Sequence, residues 1–153
     1  LGDVYKRQMW DSLEVAGGIG LAAPQIGILK KLAVIKLSDE SDRYPDMEDS
    51  EPYVIFNPKV SVVDETEQGF WEGCLSVPGL RGFVERPRSI RVDFLDENAE
   101  PKTIEAEDFL ATVFQHELDH LVGKLYVDRM KDIKTLMFEE EMVFDEIKEE
   151  VLD

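Results

Sequence analysis

The stretch FQHELDHLVG, residues 114–123, decides most of what this sequence predicts about its fold. His116 and His120 are four residues apart, so in a helix both imidazoles project from one face, one turn apart. Two imidazoles at this spacing can bind one metal ion, and Glu117 lies beside them. The chain has no other histidine. The pattern predicts a buried metal-binding helix that ends at Gly123, where glycine suits a left-handed cap.

Two histidines leave such a site incomplete, because a catalytic divalent ion usually takes three protein ligands and keeps one position for water. Cys74, in the segment EGCLS at 72–76, is one candidate for the third ligand, and we expect it in a loop between strands. In an average protein a lone cysteine is more often a small buried hydrophobic residue than a ligand. If Cys74 is not the third ligand, the alternative is a carboxylate from the acidic C-terminal part of the chain. The single cysteine excludes an internal disulfide.

The segment GGIGLAAPQIG, residues 17–27, is rich in small residues. It lacks the Lys-Ser/Thr pair of a phosphate-binding loop and follows no predicted strand, so we reject nucleotide binding. Its glycines and alanines allow backbone to approach a ligand closely, and the Gln25 amide is available to developing negative charge. A tight connection between a helix and a strand is the alternative interpretation.

Composition sets the outer limits of the prediction. The chain has 153 residues, 43% of them hydrophobic, and 34 acidic against 17 basic residues give a net charge of −17. The length and composition favour one globular domain. The negative net charge argues against nucleic acid as a direct partner, because it repels phosphate groups. No stretch predicts a membrane span or an export signal, so we expect a cytoplasmic protein of the bacterial type.

Hydrophobic periodicity predicts strands and helices in a definite order. A helix end over 9–16 stops at Gly17 and Gly18, and a strong helix runs from 107 to 123. Amphipathic spacing from Ile133 to Val151 predicts a further, C-terminal helix. Acidic residues from 38 to 51 read as a solvent-facing loop. Strands are expected at 31–37, 53–57, 59–64, 89–95 and 102–106, so the whole reads as a single α+β domain.

Three segments together carry a family resemblance: GIGLAAPQ (18–25), EGCLS (72–76) and HELDH (116–120). In this order and at these separations they resemble the signature motifs of the peptide deformylases, and the likeness runs from about Met9 to Met130. The resemblance implies an α+β fold in which antiparallel strands pack around a central metal-binding helix, with a C-terminal helix outside. It also implies an enzyme that removes the N-formyl group from the initiator methionine of new polypeptides and releases formate.

The resemblance also implies roles for single residues. Cys74, His116 and His120 would bind one ion per chain, Fe²⁺ by preference, with Zn²⁺, Ni²⁺ or Co²⁺ as substitutes. Glu117 would be the general acid and base, and the Gln25 side-chain amide and the Leu75 backbone N–H would stabilise the oxyanion. The positions that match the family's substrate site are small, apolar or, in one case, basic: Gly18, Ile19, Gly20, Phe70, Gly73, Arg81, Phe109 and Val113.

Departures from the family pattern define the expected domain boundaries and partners. Residues 1–8, LGDVYKRQ, resemble nothing in the family and are expected to be a non-native leader. Residues 9–153 would form a single catalytic domain that lacks the family's usual N-terminal strand and helix start. The expected partners are N-formylmethionyl nascent peptides. Eight acidic residues and one lysine in 139–153 argue against ribosome docking through a basic helix. We expect a monomer.

Two other functions fit part of the pattern. A zincin-type metallopeptidase would share HELDH but would not need Cys74 as a ligand. A non-catalytic binding module whose fold is stabilised by a metal ion would keep the three ligands but would have no use for Glu117 or Gln25.

Overall fold

The computed structural model describes residues 2–37, 51–142 and 151–152, with backbone alone for residues 2, 151 and 152. The helices are α1 (Gly2–Ala16), α2 (Asp108–Asp119) and α3 (Tyr126–Arg129). The strands are β1 (Gly20–Ala22), β2 (Leu32–Ile35), β3 (Tyr53–Cys74), β4 (Val77–Leu95), β5 (Pro101–Glu107), β6 (Met137–Phe138) and β7 (Val151–Leu152). Single 3₁₀ turns cover Ala23–Ile26, His120–Val122, Ile133–Thr135 and Glu139–Glu141.

The strands form a largely antiparallel sheet in the order β1-β2-β3-β4-β5. The short strand β6 pairs with β4, and β7 pairs in parallel with β3. Strands and helices together confirm the predicted α+β class. No helix among the described residues is long and apolar enough to cross a membrane.

One long hairpin, β3–β4, dominates the sheet. The strands expected at 53–57 and 59–64 are one strand, because the chain passes Pro58 through an irregularity instead of ending there. Asn57, at φ 49°, takes up the distortion, and its N–H donates to Lys31 O at 2.9 Å. The prediction that Cys74 lies in a loop is also wrong, since it is the last residue of β3, before a two-residue turn.

Helix α2 packs its apolar face on the sheet, as the sequence predicts. Phe109, Val113 and Phe114 are buried against Ile90 and Val92 of β4. The α-helix ends at Asp119 and continues as one 3₁₀ turn, which Gly123 closes at φ 74°. The chain can turn here because glycine adopts the left-handed conformation without strain.

Helix α1 covers the other end of the sheet. Met9 and Leu13 are buried with Leu21, Leu32 and Val34 in a second apolar cluster. The helix ends before Gly17, as predicted, and it begins at Gly2.

The predicted C-terminal helix is wrong for residues 133–142. The chain there forms two single turns around β6, whose Met137 and Phe138 pair with Arg81 and Leu80 of β4. Strand pairing therefore overrides the helical spacing of the apolar side chains. The rest of the predicted helix, 143–150, lies outside the described residues, as does the predicted acidic loop at 38–50.

We expect Met9→Ala to lower the free energy of unfolding by about 2–5 kcal/mol, because it leaves a cavity under α1. The matched control is Val15→Ala on the same helix, where the valine is 90% exposed and the cost should stay within about 0.5 kcal/mol. Urea unfolding monitored by circular dichroism gives both values. Equal losses in the two variants would contradict the packing of α1.

Candidate metal centre

Three possible ligand side chains converge between α2 and the end of β3. The ligand atoms of Cys74, His116 and His120 all lie within 4.8 Å of one another, and Cys74 Sγ is 3.5 Å from His120 Nε2. All three residues are buried. Helix α2 supplies His116, and the 3₁₀ turn that continues it supplies His120, so both imidazoles face one centre as the sequence predicts. The hairpin brings the thiol to them.

Each imidazole is held through the nitrogen that faces away from this cluster. His116 Nδ1 lies 2.7 Å from Glu72 Oε1, and His120 Nδ1 lies 3.1 Å from the carbonyl oxygen of Lys124. A hydrogen bond at Nδ1 fixes the tautomer and leaves Nε2 for a metal ion.

Sequence reasoning missed the acidic and basic groups behind the ligands. Glu72 is fully buried and accepts from Arg86 Nε at 2.7 Å and from Arg86 Nη2 at 3.0 Å. Arg86 Nη1 also donates to Asp119 at 2.9 Å, and Arg129 pairs with the same carboxylate. Glu72 lies inside the segment EGCLS and Asp119 inside HELDH. Their nearness in sequence to the proposed ligands was the signal that could have indicated them.

The charges of the cluster suit metal binding. Burial alone would raise the pKa of Cys74, but hydrogen bonds from His116 and His120 overcome it and lower the pKa to about 5. Burial would lower the pKa of His116, yet hydrogen bonds to Cys74 and Glu72 raise it to about 10. In the metal-free centre Cys74 is therefore a thiolate, which is the form that binds metals, and a metal ion would displace the proton that His116 shares with it.

Glu117 is a buried carboxylate beside these ligands. Burial raises its pKa, against the opposing influence of His116 and His120. Its Oε2 has no hydrogen-bond partner among the described residues. The side chain lies directly against β1, since a Cβ on Gly20 would come within 2.6 Å of Glu117 Cγ. Only glycine leaves room for the carboxylate here.

Gln25 reaches the same centre from the turn after β1. Its Oε1 accepts from Ala22 N at 2.8 Å, which orients the amide so that Nε2 points to the hairpin turn. Nε2 lies 3.1 Å from Ser76 Oγ and 3.5 Å from Cys74 Sγ. Leu75, in the hairpin turn, has a side chain that is 48% exposed.

Comparison with known proteins agrees with this geometry. The family model described as "Polypeptide deformylase" matches residues 4–136. The chain belongs to the polypeptide deformylase family. The peptide deformylase of Leptospira biflexa serovar Patoc is 47% identical over 136 residues, which cover 89% of this chain and 76% of that protein.

Solved structures of peptide deformylases are similar over most of the described chain. The Synechococcus elongatus enzyme in complex with actinonin is 43% identical, with a TM-score of 0.72, and the match covers 82% of this chain and 63% of that one. The Acinetobacter baumannii class I type b enzyme bound to Met-Ala-Ser is 34% identical, with a TM-score of 0.76 and coverage of 82% and 79%.

Members of this family are metal-dependent enzymes that act on N-formylmethionyl peptides. The family, the enzyme class and the function implied by the three motifs are thereby confirmed, and neither the metallopeptidase nor the binding module is favoured.

Several residues that match the deformylase substrate site lie close together. Ile19 and Phe70 pack against the cluster that contains Phe109 and Val113, and the rings of Phe70 and Phe109 meet edge to face at 5.6 Å. A Cβ on Gly18 would lie 3.7 Å from Leu75 Cδ1. These positions remain predictions as substrate contacts.

Arg81 is buried, with only 4% of the residue exposed. Its Nη2 pairs with Glu139 at 2.8 Å. A Cβ on Gly73 would lie 2.2 Å from Arg81 Nη1, so the guanidinium fills the space beside the residue before Cys74. A role for Arg81 at the substrate entrance stays a prediction.

We expect the thiolate absorbance of the metal-free protein to titrate with a midpoint near pH 5, the lowered pKa of Cys74. Because the folded-state pKa lies below the ordinary value of 9.0, ionisation stabilises the fold at high pH, and this contribution is lost as the pH falls through about 5. Cys74→Ser supplies the blank, since the chain has one cysteine. A midpoint near 9 would contradict the proximity of the two imidazoles.

Proposed function

We propose that this chain hydrolyses the N-formyl group of N-formylmethionyl peptides, releasing formate and a free amino terminus. The observation that carries the proposal is the position of the buried Glu117 carboxylate beside the Cys74, His116 and His120 donors. One of its oxygens has no hydrogen-bond partner in the part of the chain that the structure describes. A formamide carbon is a poor electrophile, so its hydrolysis needs both an activated water and a positioned proton carrier.

The donor set fits a divalent transition metal. We propose that Cys74 Sγ and the Nε2 atoms of His116 and His120 hold one ion, Fe²⁺ by preference, with Zn²⁺, Ni²⁺ or Co²⁺ as substitutes, since a thiolate and two imidazoles suit these ions. When bound, such an ion supplies Lewis-acid polarisation and makes water nucleophilic near neutral pH.

Glu117 is the proposed proton carrier. Its carboxylate accepts a proton as water adds to the formyl carbon, and the same proton is delivered to the departing amine nitrogen as the C–N bond breaks. Burial raises the pKa of this carboxyl, which makes it a better base once ionised. Its side chain lies against Gly20 of β1, where a Cβ would occupy the same space.

Two donors are proposed for the oxyanion that forms on the formyl oxygen: the Gln25 amide and the Leu75 backbone N–H. The hydrogen bond from Ala22 N fixes the Gln25 carbonyl oxygen, so Nε2 is presented on the side of Cys74 without reorganisation. Donors held in advance stabilise charge more than donors that must be recruited.

The apolar group of Ile19, Phe70, Phe109 and Val113 is proposed to receive the methionine side chain. Gly18, Gly20 and Gly73 would let the peptide backbone approach. The Acinetobacter enzyme, solved with Met-Ala-Ser bound, supports a peptide that begins with methionine as ligand.

We further propose that the protein works as a cytoplasmic monomer on nascent chains. The acidic segment 139–153 does not favour docking to the ribosome through a basic helix.

The direct test measures formate release from a formyl-Met peptide by the full chain prepared anaerobically with iron or nickel. The matched substrate is the acetyl-Met peptide of the same sequence, which should release no acetate. Release of formate without cleavage of the peptide chain supports a deformylase. Cleavage at an internal peptide bond would support the metallopeptidase instead.

Glu117→Gln should abolish turnover and leave metal content unchanged, because it removes the proton acceptor but keeps the shape and the ligands. Metal analysis and formate release are measured on the same sample. Substantial residual turnover would remove Glu117 from the mechanism.

Gln25→Leu should lower kcat by roughly 10²–10³ with little change in metal content, as expected for the loss of one oxyanion donor. The matched control is Gln68→Leu, whose amide bonds Thr112 Oγ1 at 3.1 Å, one turn of α2 before His116. This control also removes a part-buried amide, but not a proposed oxyanion donor. An equal loss in both variants would show a general packing effect and assign Gln25 to structure.

A further inference from the structure

The ring of the other proposed ligand, His120, meets the His116 ring edge to face at 5.2 Å, and two further neighbours hold the His116 ring from other directions. Glu72 accepts a hydrogen bond at Nδ1, and the ring of Tyr126 lies alongside, with 6.3 Å between ring centroids and 15° between ring planes. One hydrogen bond fixes the direction of Nδ1 but lets an imidazole tilt about the bond. A flat ring stacked beside it removes that freedom, and offset stacking is itself favourable.

Tyr126 is held firmly in this place. It is the first residue of α3, and the start of α3 is fixed by the Leu125 N–H, which donates to Asp128 Oδ2 at 2.8 Å. The ring is 1% exposed and packs with Cys74. On the sheet side, a Cβ on Gly82 would lie 3.3 Å from Tyr126 Cε2, so the ring has little room to retreat.

The hydroxyl of Tyr126 adds no hydrogen bond among the described residues. Its oxygen is buried without a partner, and burial raises the pKa of the phenol to about 12, so it stays neutral. A buried unpaired hydroxyl costs stability. The contribution of Tyr126 at this position therefore comes from its ring and not from hydrogen bonding of its hydroxyl.

We propose that Tyr126 is a positioning residue for the metal centre: its ring holds the His116 imidazole at the tilt that leaves Nε2 facing the other two ligands. The same turn of chain also supplies the Lys124 carbonyl that fixes His120, so the segment after α2 orients both imidazoles. The inference rests on the metal site proposed above and adds a residue outside the three motifs.

The test is titration of the full metal-free chain with Co²⁺, followed by the cobalt absorption bands. Tyr126→Phe keeps the ring and should retain the parent's affinity within about two-fold, whereas Tyr126→Met keeps apolar volume without a flat face and should weaken binding by about 10–100-fold. The thermal midpoint of the metal-free protein should rise in Tyr126→Phe, because the unpaired hydroxyl is gone.

Phe114→Leu is the matched control for lost packing. Phe114 is a fully buried aromatic residue of α2 whose ring meets that of Tyr53 edge to face, in a different apolar cluster. It should lower the thermal midpoint and leave the Co²⁺ affinity and the cobalt bands unchanged.

The inference is overturned if Tyr126→Met binds Co²⁺ as tightly as the parent, or if Phe114→Leu loses as much affinity. It is equally overturned if Tyr126→Phe lowers the Co²⁺ affinity ten-fold or more. This outcome can be measured even if Tyr126→Met does not fold. A parent chain that shows no thiolate–cobalt band overturns the proposed metal site itself, and this inference with it.

Discussion

The hydrogen bond of 2.7 Å between His116 Nδ1 and Glu72 Oε1 joins α2 to the β3–β4 hairpin in the interior of the protein. Glu72 is fully buried, and a buried carboxylate is tolerated only when it is paired and hydrogen-bonded. Arg86 and His116 meet that requirement together, and they hold the pKa of Glu72 below its ordinary value despite burial. The same carboxylate therefore bonds both the second strand of the hairpin and the helix.

The remaining geometry of the centre follows from that junction. With α2 fixed over the end of β3, His120 lies next to Cys74, and Asp119 accepts a hydrogen bond from Nη1 of Arg86. Nearly every charged group here has a partner. Glu117 Oε2 is unpaired among the described residues, and an unsatisfied buried polar atom is most readily explained by function. The Glu72 carboxylate therefore has a structural role, and the neighbouring Glu117 carboxylate is left for the proposed chemistry.

The sequence predicted the parts of this centre that have a local signature. The spacing of His116 and His120 predicts one helical face, and glycine at 123 predicts its end, because both depend on helix geometry alone. The place of Cys74 came from the likeness of three separated motifs. Glu72 and Arg86 were not predicted, since charged residues in a strand are normally solvent-exposed and only the tertiary packing makes them partners. At 133–138 the apolar spacing predicts a helix, but pairing with β4 competes and prevails.

The central claim is that one sulfur and two nitrogens of this chain bind a single ion. X-ray absorption spectroscopy of the full chain loaded with one equivalent of zinc tests it most directly. The account predicts one sulfur neighbour at about 2.3 Å together with nitrogen or oxygen neighbours at about 2.0–2.1 Å, and loss of the sulfur signal in Cys74→Ala. A zinc environment of nitrogen and oxygen alone in the parent chain would contradict it.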